Sequence, residues 1–144
     1  INMGTPVERP ASIPEERHLF LGFNDILEPM EGMTAPAVEH VEQLLDVVDG
    51  WKGEKPIVVH CFAGISRSTA AAFITVCALR PERDEAEIAG LIRAGSPSAT
   101  PNLRLVRFAD ELLGRRGRMV RAIEEIGRGH DAFEGHPFAL ALDR

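Results

Sequence analysis

The sequence has 144 residues and a net charge of −6, and we expect no nucleic-acid partner because duplex binding needs a basic surface. Hydrophobic residues make up 44% and charged residues 26% of the chain, which is typical of a folded globular protein, and the length predicts a single domain over residues 1–144. No segment has the length and hydrophobicity of a membrane span, so no membrane partner is expected. The two cysteines, Cys61 and Cys77, are too few for a disulfide framework, which favours a reducing compartment, and we expect the cytoplasm.

The apolar pattern predicts two strands and five helices. Short apolar runs at residues 18–23 and 56–60 are typical of buried strands, and the second has three β-branched residues in succession. Stretches with helical spacing predict helices over residues 36–50, 67–79, 84–94, 101–113 and 118–126. Thr100 followed by Pro101 is a favourable start for the fourth helix. The tail, residues 127–144, has no clear periodicity and receives no assignment.

These elements predict an α/β domain with a mainly parallel central sheet flanked by helices. The strand at residues 56–60 leads into a tight loop at 61–66, and the loop leads into the helix at 67–79. Open α/β sheets bind ligands at the carboxyl ends of their strands, which is where this loop would lie. Two strands are too few for a stable sheet, so we expect further strands from the tail or from an N-terminal segment missing from this sequence.

The loop after the second predicted strand has the features of an anion site. A phosphoryl group in transfer carries charge on three oxygens, which backbone N–H groups in a curved loop and the start of a helix can hold. We expect the phosphate to be bound by Phe62, Ala63, Gly64, Ile65 and Ser66. Gly64 permits a backbone conformation that a side chain disfavours, and Arg67 can hold two phosphate oxygens with its planar guanidinium.

Cys61 begins this loop, and we expect it to be a nucleophile. A field that binds phosphate also stabilises a thiolate, so the pKa of Cys61 is expected to be lowered. The hydroxyl of Ser68 can donate to the sulfur and so steady it as nucleophile and as leaving group. His60 is expected to fix the loop through hydrogen bonds rather than to act as a base, because a preformed thiolate needs none.

Residues 60–68 read His-Cys-Phe-Ala-Gly-Ile-Ser-Arg-Ser, and this segment resembles the signature loop of the protein tyrosine phosphatase superfamily. Its ending is most similar to the dual-specificity branch. A bare Cys-x5-Arg pattern is weak, but the flanking His and Ser, the central Gly, and the predicted strand and helix on either side make it specific. The resemblance implies a phosphatase-like fold and phosphomonoester hydrolysis through a phosphocysteine intermediate, with no cofactor. No histidine has metal-ligand spacing, so no metal is predicted.

The resemblance also implies a general acid on an upstream loop, which in that superfamily protonates the leaving oxygen and later activates water. Asp25 follows the first predicted strand and precedes Cys61 by 36 residues, a spacing similar to the family's, and it is our candidate. Glu28 and Glu31 are reserves. Asn102 ends a Pro-Asn turn similar to one whose asparagine supports the active-site loop in dual-specificity-like members. The alternatives are a turn aspartate and a plain helix-start asparagine.

The sequence leaves the substrate open. The variable loop positions carry no cation, which gives no support to a phosphoinositide substrate, and the chain has no tyrosine to wall a deep phosphotyrosine pocket. We expect a shallow site for phosphotyrosine, with phosphoserine and phosphothreonine as further candidates. The expected partner is a phosphorylated protein or a small phosphorylated metabolite. A phosphate or sulfate anion should bind in the loop. Two other functions stay open: a non-catalytic phosphate-binding module, and a sulfurtransferase or arsenate reductase.

Two further features have ordinary interpretations. Cys77 falls on the apolar helix after the loop and is predicted to be a core residue. Six arginines crowd the last two helices, and we expect a solvated face, with steering of an anionic substrate as the alternative. They are Arg104, Arg107, Arg115, Arg116, Arg118 and Arg121.

Overall fold

The computed structural model describes residues 1–142, which form five α-helices joined by irregular segments. The helices are α1 (Val38–Asp49), α2 (Arg67–Leu79), α3 (Glu85–Gly95), α4 (Leu103–Leu112) and α5 (Arg118–Ile126), and a single 3₁₀ turn spans Glu15–Arg17. All five predicted helices are confirmed, α2 and α5 with the predicted bounds. The domain predicted over residues 1–144 extends two residues beyond the described part. No helix within residues 1–142 is long and apolar enough to cross a membrane.

Helix α2 lies at the centre of the packing and contacts α1, α3 and α4. Nine of its thirteen residues are buried, and Phe73 and Ile74 are completely inaccessible to solvent. A helix that is apolar on all sides belongs in the interior, and burying one such side chain stabilises the fold by about 1.5–3 kcal/mol. Packing in the core therefore fixes the position of α2. It also fixes where the loop before Arg67 ends.

Polar side chains cap the last three helices. Asp84 accepts hydrogen bonds from two N–H groups in the first turn of α3, at 2.7 and 3.2 Å. Asn102 accepts from the N–H of Leu105 at 3.1 Å, so α4 begins after Asn102 rather than after the predicted Thr100 cap. The carboxylate of Asp110, in α4, accepts from three N–H groups at the start of α5. This contact holds α5 against α4.

The predicted mainly parallel central sheet is wrong. Within residues 1–142 the structure has only isolated parallel bridges, which join Asn2 to Phe20 and Asn2 to His60. The segments 18–23 and 56–60 are not strands, and they lie on opposite sides of residues 1–3 instead of pairing with each other. The protein is helical, with three short pieces of extended chain beside the helices.

The pairing stops because the chain turns directly after Asn2. The Oδ1 atom of Asn2 accepts from the N–H groups of Gly4 and Thr5, at 3.0 and 2.7 Å. Gly4 has φ of +107°, a conformation that side chains disfavour. Residues 1–3 therefore make only one bridge with the segment on each side before the chain turns away. The predicted burial is also only partly correct, since Leu21 and Phe23 are buried but Phe20 and Val58 are more than half exposed. An apolar run in a sequence does not show whether a partner long enough to make a strand is present.

The arginines of the last helices are not all solvated. Arg115 is buried, and its guanidinium lies 3.0 Å from the carboxylate of Glu85 and 2.7 Å from the carbonyl oxygen of Cys77. Arg104 donates to the carbonyl oxygen of Pro36 at 2.6 Å. The prediction of a solvated face is therefore wrong for Arg115. Cys77 is a core residue as predicted, and burial raises its pKa to about 12.

Candidate active site

The loop between residue 60 and α2 borders a cavity of about 340 Å³. Its lining includes Cys61, Arg67 and Asp25, the predicted nucleophile, phosphate clamp and general acid. The remaining lining residues are Phe62, Ala63, Ile65, Ser66, Ala132 and Phe133. The fold thus brings together residues that lie far apart in the sequence.

The sulfur of Cys61 is surrounded by hydrogen-bonding groups. The Ser68 hydroxyl oxygen lies 3.2 Å from Sγ, and the N–H of Gly64 donates to Sγ at 3.3 Å. Burial raises the pKa of the Cys61 thiol, but the hydrogen bonds with Ser68 and Gly64 and the charge of Arg67 outweigh burial, and the pKa lies below its ordinary value. The site therefore stabilises the thiolate form of Cys61 more than water stabilises the thiolate of an exposed cysteine.

Several backbone amides of the loop are available to a ligand. Among the hydrogen bonds within residues 1–142, none has as its donor the N–H of Phe62, Ala63, Ile65, Ser66 or Arg67. Gly64, in the middle of this set, has φ of +71°, the left-handed conformation that turns successive N–H groups toward one side. Because α2 starts at Arg67, the positive end of its dipole lies at the same place.

Arg67 is held by the backbone of Phe23 and lies directly beside the N-terminal turn. One terminal guanidinium nitrogen, Nη1, donates to the carbonyl oxygen of Phe23 at 2.9 Å. A Cβ atom on Gly4 would lie 2.6 Å from the same nitrogen, so any side chain at position 4 would displace the guanidinium. The turn that Asn2 stabilises therefore leaves the space in which Arg67 lies beside the cavity.

Asp25 is tied to the loop by two hydrogen bonds. Its Oδ1 atom accepts from the hydroxyl of Ser66 at 2.7 Å and from the side-chain amide of Asn102 at 2.8 Å. Two hydrogen bonds between Asn24 and Thr34 close the base of the loop that carries Asp25. The N–H of Asn24 donates to the carbonyl oxygen of Thr34 at 2.7 Å, and the N–H of Thr34 donates to Oδ1 of Asn24 at 2.8 Å. Within residues 1–142 the Oδ2 atom of Asp25 accepts no hydrogen bond, so it is the oxygen open to a ligand in the cavity.

The start of α4 supports the loop from the other side. The backbone N–H of Asn102 donates to the carbonyl oxygen of Ser66 at 3.1 Å, and that of Thr100 donates to Ile65 at 2.9 Å. Asn102 thus contacts the anion loop through its backbone, Asp25 through its side-chain amide, and α4 through its side-chain oxygen. One residue links all three.

The other candidate residues lie outside this network. The hydrogen bonds of His60 within the described residues are backbone bonds to Ile1 and Met3, rather than side-chain bonds to the loop. Partial burial lowers the pKa of the His60 imidazole, which favours its neutral form. Glu28 and Glu31 are exposed, and neither lines the cavity.

Comparison with known families agrees with the geometry. Residues 12–78 match the family described as "Polymorphic toxin system, DSP-PTPase phosphatase". This segment is therefore similar to dual-specificity phosphatases. It makes up a little under half of the chain, and it contains Asp25, Cys61, Arg67 and Ser68 but not Asn102. Searches of curated proteins and of solved structures found no significant match.

Three features of the site were absent from the sequence-based prediction. They are the turn at Asn2 and Gly4, the bond from Ser66 to Asp25, and the approach of the tail, which places Ala132 and Phe133 at the cavity. The tail residues follow no period and match no motif, so nothing local in the sequence indicates them. The pair Gly4-Thr5 does not indicate the N-terminal turn either. The role of Gly4 becomes clear only from its contact with Arg67 in the structure.

Proposed function

We propose that this phosphatase-like chain hydrolyses phosphomonoesters through a phosphocysteine intermediate. The observation that carries the proposal is the environment of Cys61, whose lowered pKa favours a nucleophilic thiolate beside five loop amides that have no acceptor among residues 1–142. A phosphate group seated on those amides would have its phosphorus next to Sγ. A buried structural cysteine would need neither arrangement, as the raised pKa of Cys77 illustrates.

The first step forms the S–P bond. The Cys61 thiolate attacks phosphorus, the P–O ester bond breaks, and its electron pair leaves with the substrate oxygen. Asp25, protonated on Oδ2, gives that oxygen its proton so that a neutral alcohol leaves. The loop amides and the Arg67 guanidinium stabilise the charge on the three remaining oxygens.

The second step breaks the S–P bond. A water molecule attacks phosphorus, Asp25 accepts a proton from it, and inorganic phosphate leaves. The electron pair of the S–P bond returns to Cys61, where the Ser68 hydroxyl and the Gly64 N–H stabilise the thiolate again. Cys61 and Asp25 therefore act in both steps, and the acid of the first step is the base of the second.

The substrate class that we propose is a phosphorylated protein, with phosphotyrosine or a dual specificity favoured, or a small phosphorylated metabolite. The cavity of about 340 Å³ is open and has no lysine in its lining, so it offers little charge beyond the single phosphate that Arg67 and the amides neutralise. A reducing compartment protects a catalytic thiolate from oxidation, and we propose the cytoplasm as the location of the reaction.

Turnover of phenyl phosphate by the wild type and by Cys61→Ser tests this proposal. We expect turnover in the wild type and none in the variant, with Cys77→Ala as a control for loss of a thiol in the core. Phosphate binding without any turnover would instead support a non-catalytic binding module. Persulfide formation on Cys61 with thiosulfate would support a sulfurtransferase.

A further inference from the structure

Two phenyl rings stand exposed at the rim of the cavity. Phe62, in the anion loop, is 78% exposed, and Phe133, in the tail, is fully exposed. Both line the cavity that contains Cys61. A single exposed phenylalanine is ordinary on a protein surface, but two at the mouth of one polar cavity form an apolar feature that a ligand can cover.

The tail segment that carries Phe133 is fastened on both sides of it. We call residues 129–135 the tail strap. At its start, the N–H of Gly129 donates to the hydroxyl of Thr100 at 3.0 Å, and the next residue donates from its N–H to the carbonyl oxygen of Pro97 at 3.0 Å. At its end, the N–H of Gly135 donates to the carbonyl oxygen of Ala63 at 2.8 Å. Phe133 thus lies two residues from a direct bond to the anion loop.

The ends of the tail strap lie against backbone so closely that side chains would not fit. A Cβ atom on Gly135 would lie 2.6 Å from the carbonyl oxygen of Gly64, and one on Gly129 would lie 2.5 Å from the carbonyl group of Ser98. Both contacts are with main-chain atoms, which cannot move aside as a flexible side chain can. The tail strap therefore has a defined position over the loop, which keeps the backbone of Phe133 close to the rim of the cavity.

We propose that Phe133 is a specificity residue that selects aryl phosphates over alkyl phosphates. The inference rests on the proposed function, because it requires the phosphate group to sit on the loop amides. The ester oxygen then points toward the rim, and the next atoms of the substrate reach the level of the two rings. An aromatic leaving group can pack against Phe133 and Phe62 in offset or edge-to-face contact, whereas a short alkyl chain offers little area and no ring.

Binding to a Cys61→Ser background tests the proposal without turnover. The probes are phenyl phosphate and butyl phosphate, measured by isothermal titration calorimetry. Adding Phe133→Ala should weaken binding of phenyl phosphate about tenfold, since one aromatic contact and its buried area are lost, and should change butyl phosphate less than twofold. Phe133→Tyr keeps a ring and should retain the preference.

A matched control removes an exposed ring elsewhere. Phe20 is half-exposed and does not line the cavity, so Phe20→Ala should leave the ratio of the two dissociation constants unchanged. The proposal is overturned if Phe133→Ala leaves that ratio unchanged or weakens both probes equally. If neither ester binds at all, the proposed function fails, and the specificity proposal fails with it. If both esters bind but Phe133→Ala does not alter the ratio of their dissociation constants, only the specificity proposal fails.

Discussion

The side-chain amide nitrogen of Asn102 lies 2.8 Å from Oδ1 of Asp25, although the two residues are 77 positions apart in the sequence. The same asparagine caps α4 and donates from its backbone to Ser66 in the anion loop. Asp25 also accepts from the hydroxyl of Ser66. The proposed acid is therefore positioned by the start of the same helix that supports the anion loop. This arrangement holds Asp25 at a fixed distance from the loop.

Replacing Asp25 by asparagine should remove the proton that the leaving oxygen receives. We expect Asp25→Asn to lower kcat by roughly 10²–10⁴-fold for an alkyl phosphate, because general acid catalysis is worth about that much. The loss should be smaller for an aryl phosphate with a stable phenolate leaving group, which needs less protonation. Steady-state rates for a series of leaving groups measure this difference. Equal losses for all leaving groups would exclude Asp25 as the acid, and Glu28→Gln is the control on the same loop.

Replacing Asn102 by serine should separate its capping role from its contact with Asp25. Serine caps helices about as well as asparagine, so stability should change little, whereas Asn102→Ala should cost about 1 kcal/mol in the free energy of unfolding. Both variants lose the donor to Asp25, and both should lower kcat. Chemical denaturation and rate measurements on the two variants test this. A Ser variant with full activity would show that the contact with Asp25 does not matter.

Much of this framework could be predicted from the sequence. Val41, Leu44 and Val48 recur at helical spacing, and all three are buried in α1. The strands could not be predicted correctly, because the apolar run at residues 18–23, of which only Leu21 and Phe23 are buried, gives the same signal whether or not a neighbouring strand exists. The pairing depends on the turn at Gly4. Likewise Phe133 belongs to a segment without periodicity, and its place at the cavity depends on contacts with residues distant in the sequence.

Replacing Ser68 by alanine should move the pH dependence of the reaction. Activity that needs the thiolate rises as the pH increases through the pKa of Cys61. That pKa is lowered in part by the hydrogen bonds with Ser68, so losing the hydroxyl raises it and shifts the rise to higher pH. The thiolate is also a poorer leaving group without this bond, and phosphoenzyme breakdown should slow about tenfold to a hundredfold. A pH–rate profile unchanged from the wild type contradicts this account of Ser68.

Replacing Gly4 by alanine should misplace Arg67. The new Cβ atom would lie 2.6 Å from the guanidinium nitrogen and 2.9 Å from the carbonyl oxygen of Phe23 that holds it. We expect phosphate affinity to fall by about tenfold or more, since a charge-assisted hydrogen bond to an anion is lost or lengthened. Gly32→Ala is the matched control, because Gly32 also has a positive φ but no atom near its Cβ position. Equal effects of the two variants on phosphate affinity would mean that backbone strain alone is responsible.

The central claim, a phosphoryl group carried by Cys61, can be observed directly. Wild-type protein mixed with excess phenyl phosphate is quenched with denaturant within the first turnovers, and the peptide containing Cys61 is analysed by mass spectrometry. We predict a phosphoryl group on Cys61, in larger amount in Ser68→Ala because breakdown is slower, and none in Cys61→Ser. Steady hydrolysis of phenyl phosphate with no phosphoryl group on Cys61 in either protein would contradict the proposed mechanism.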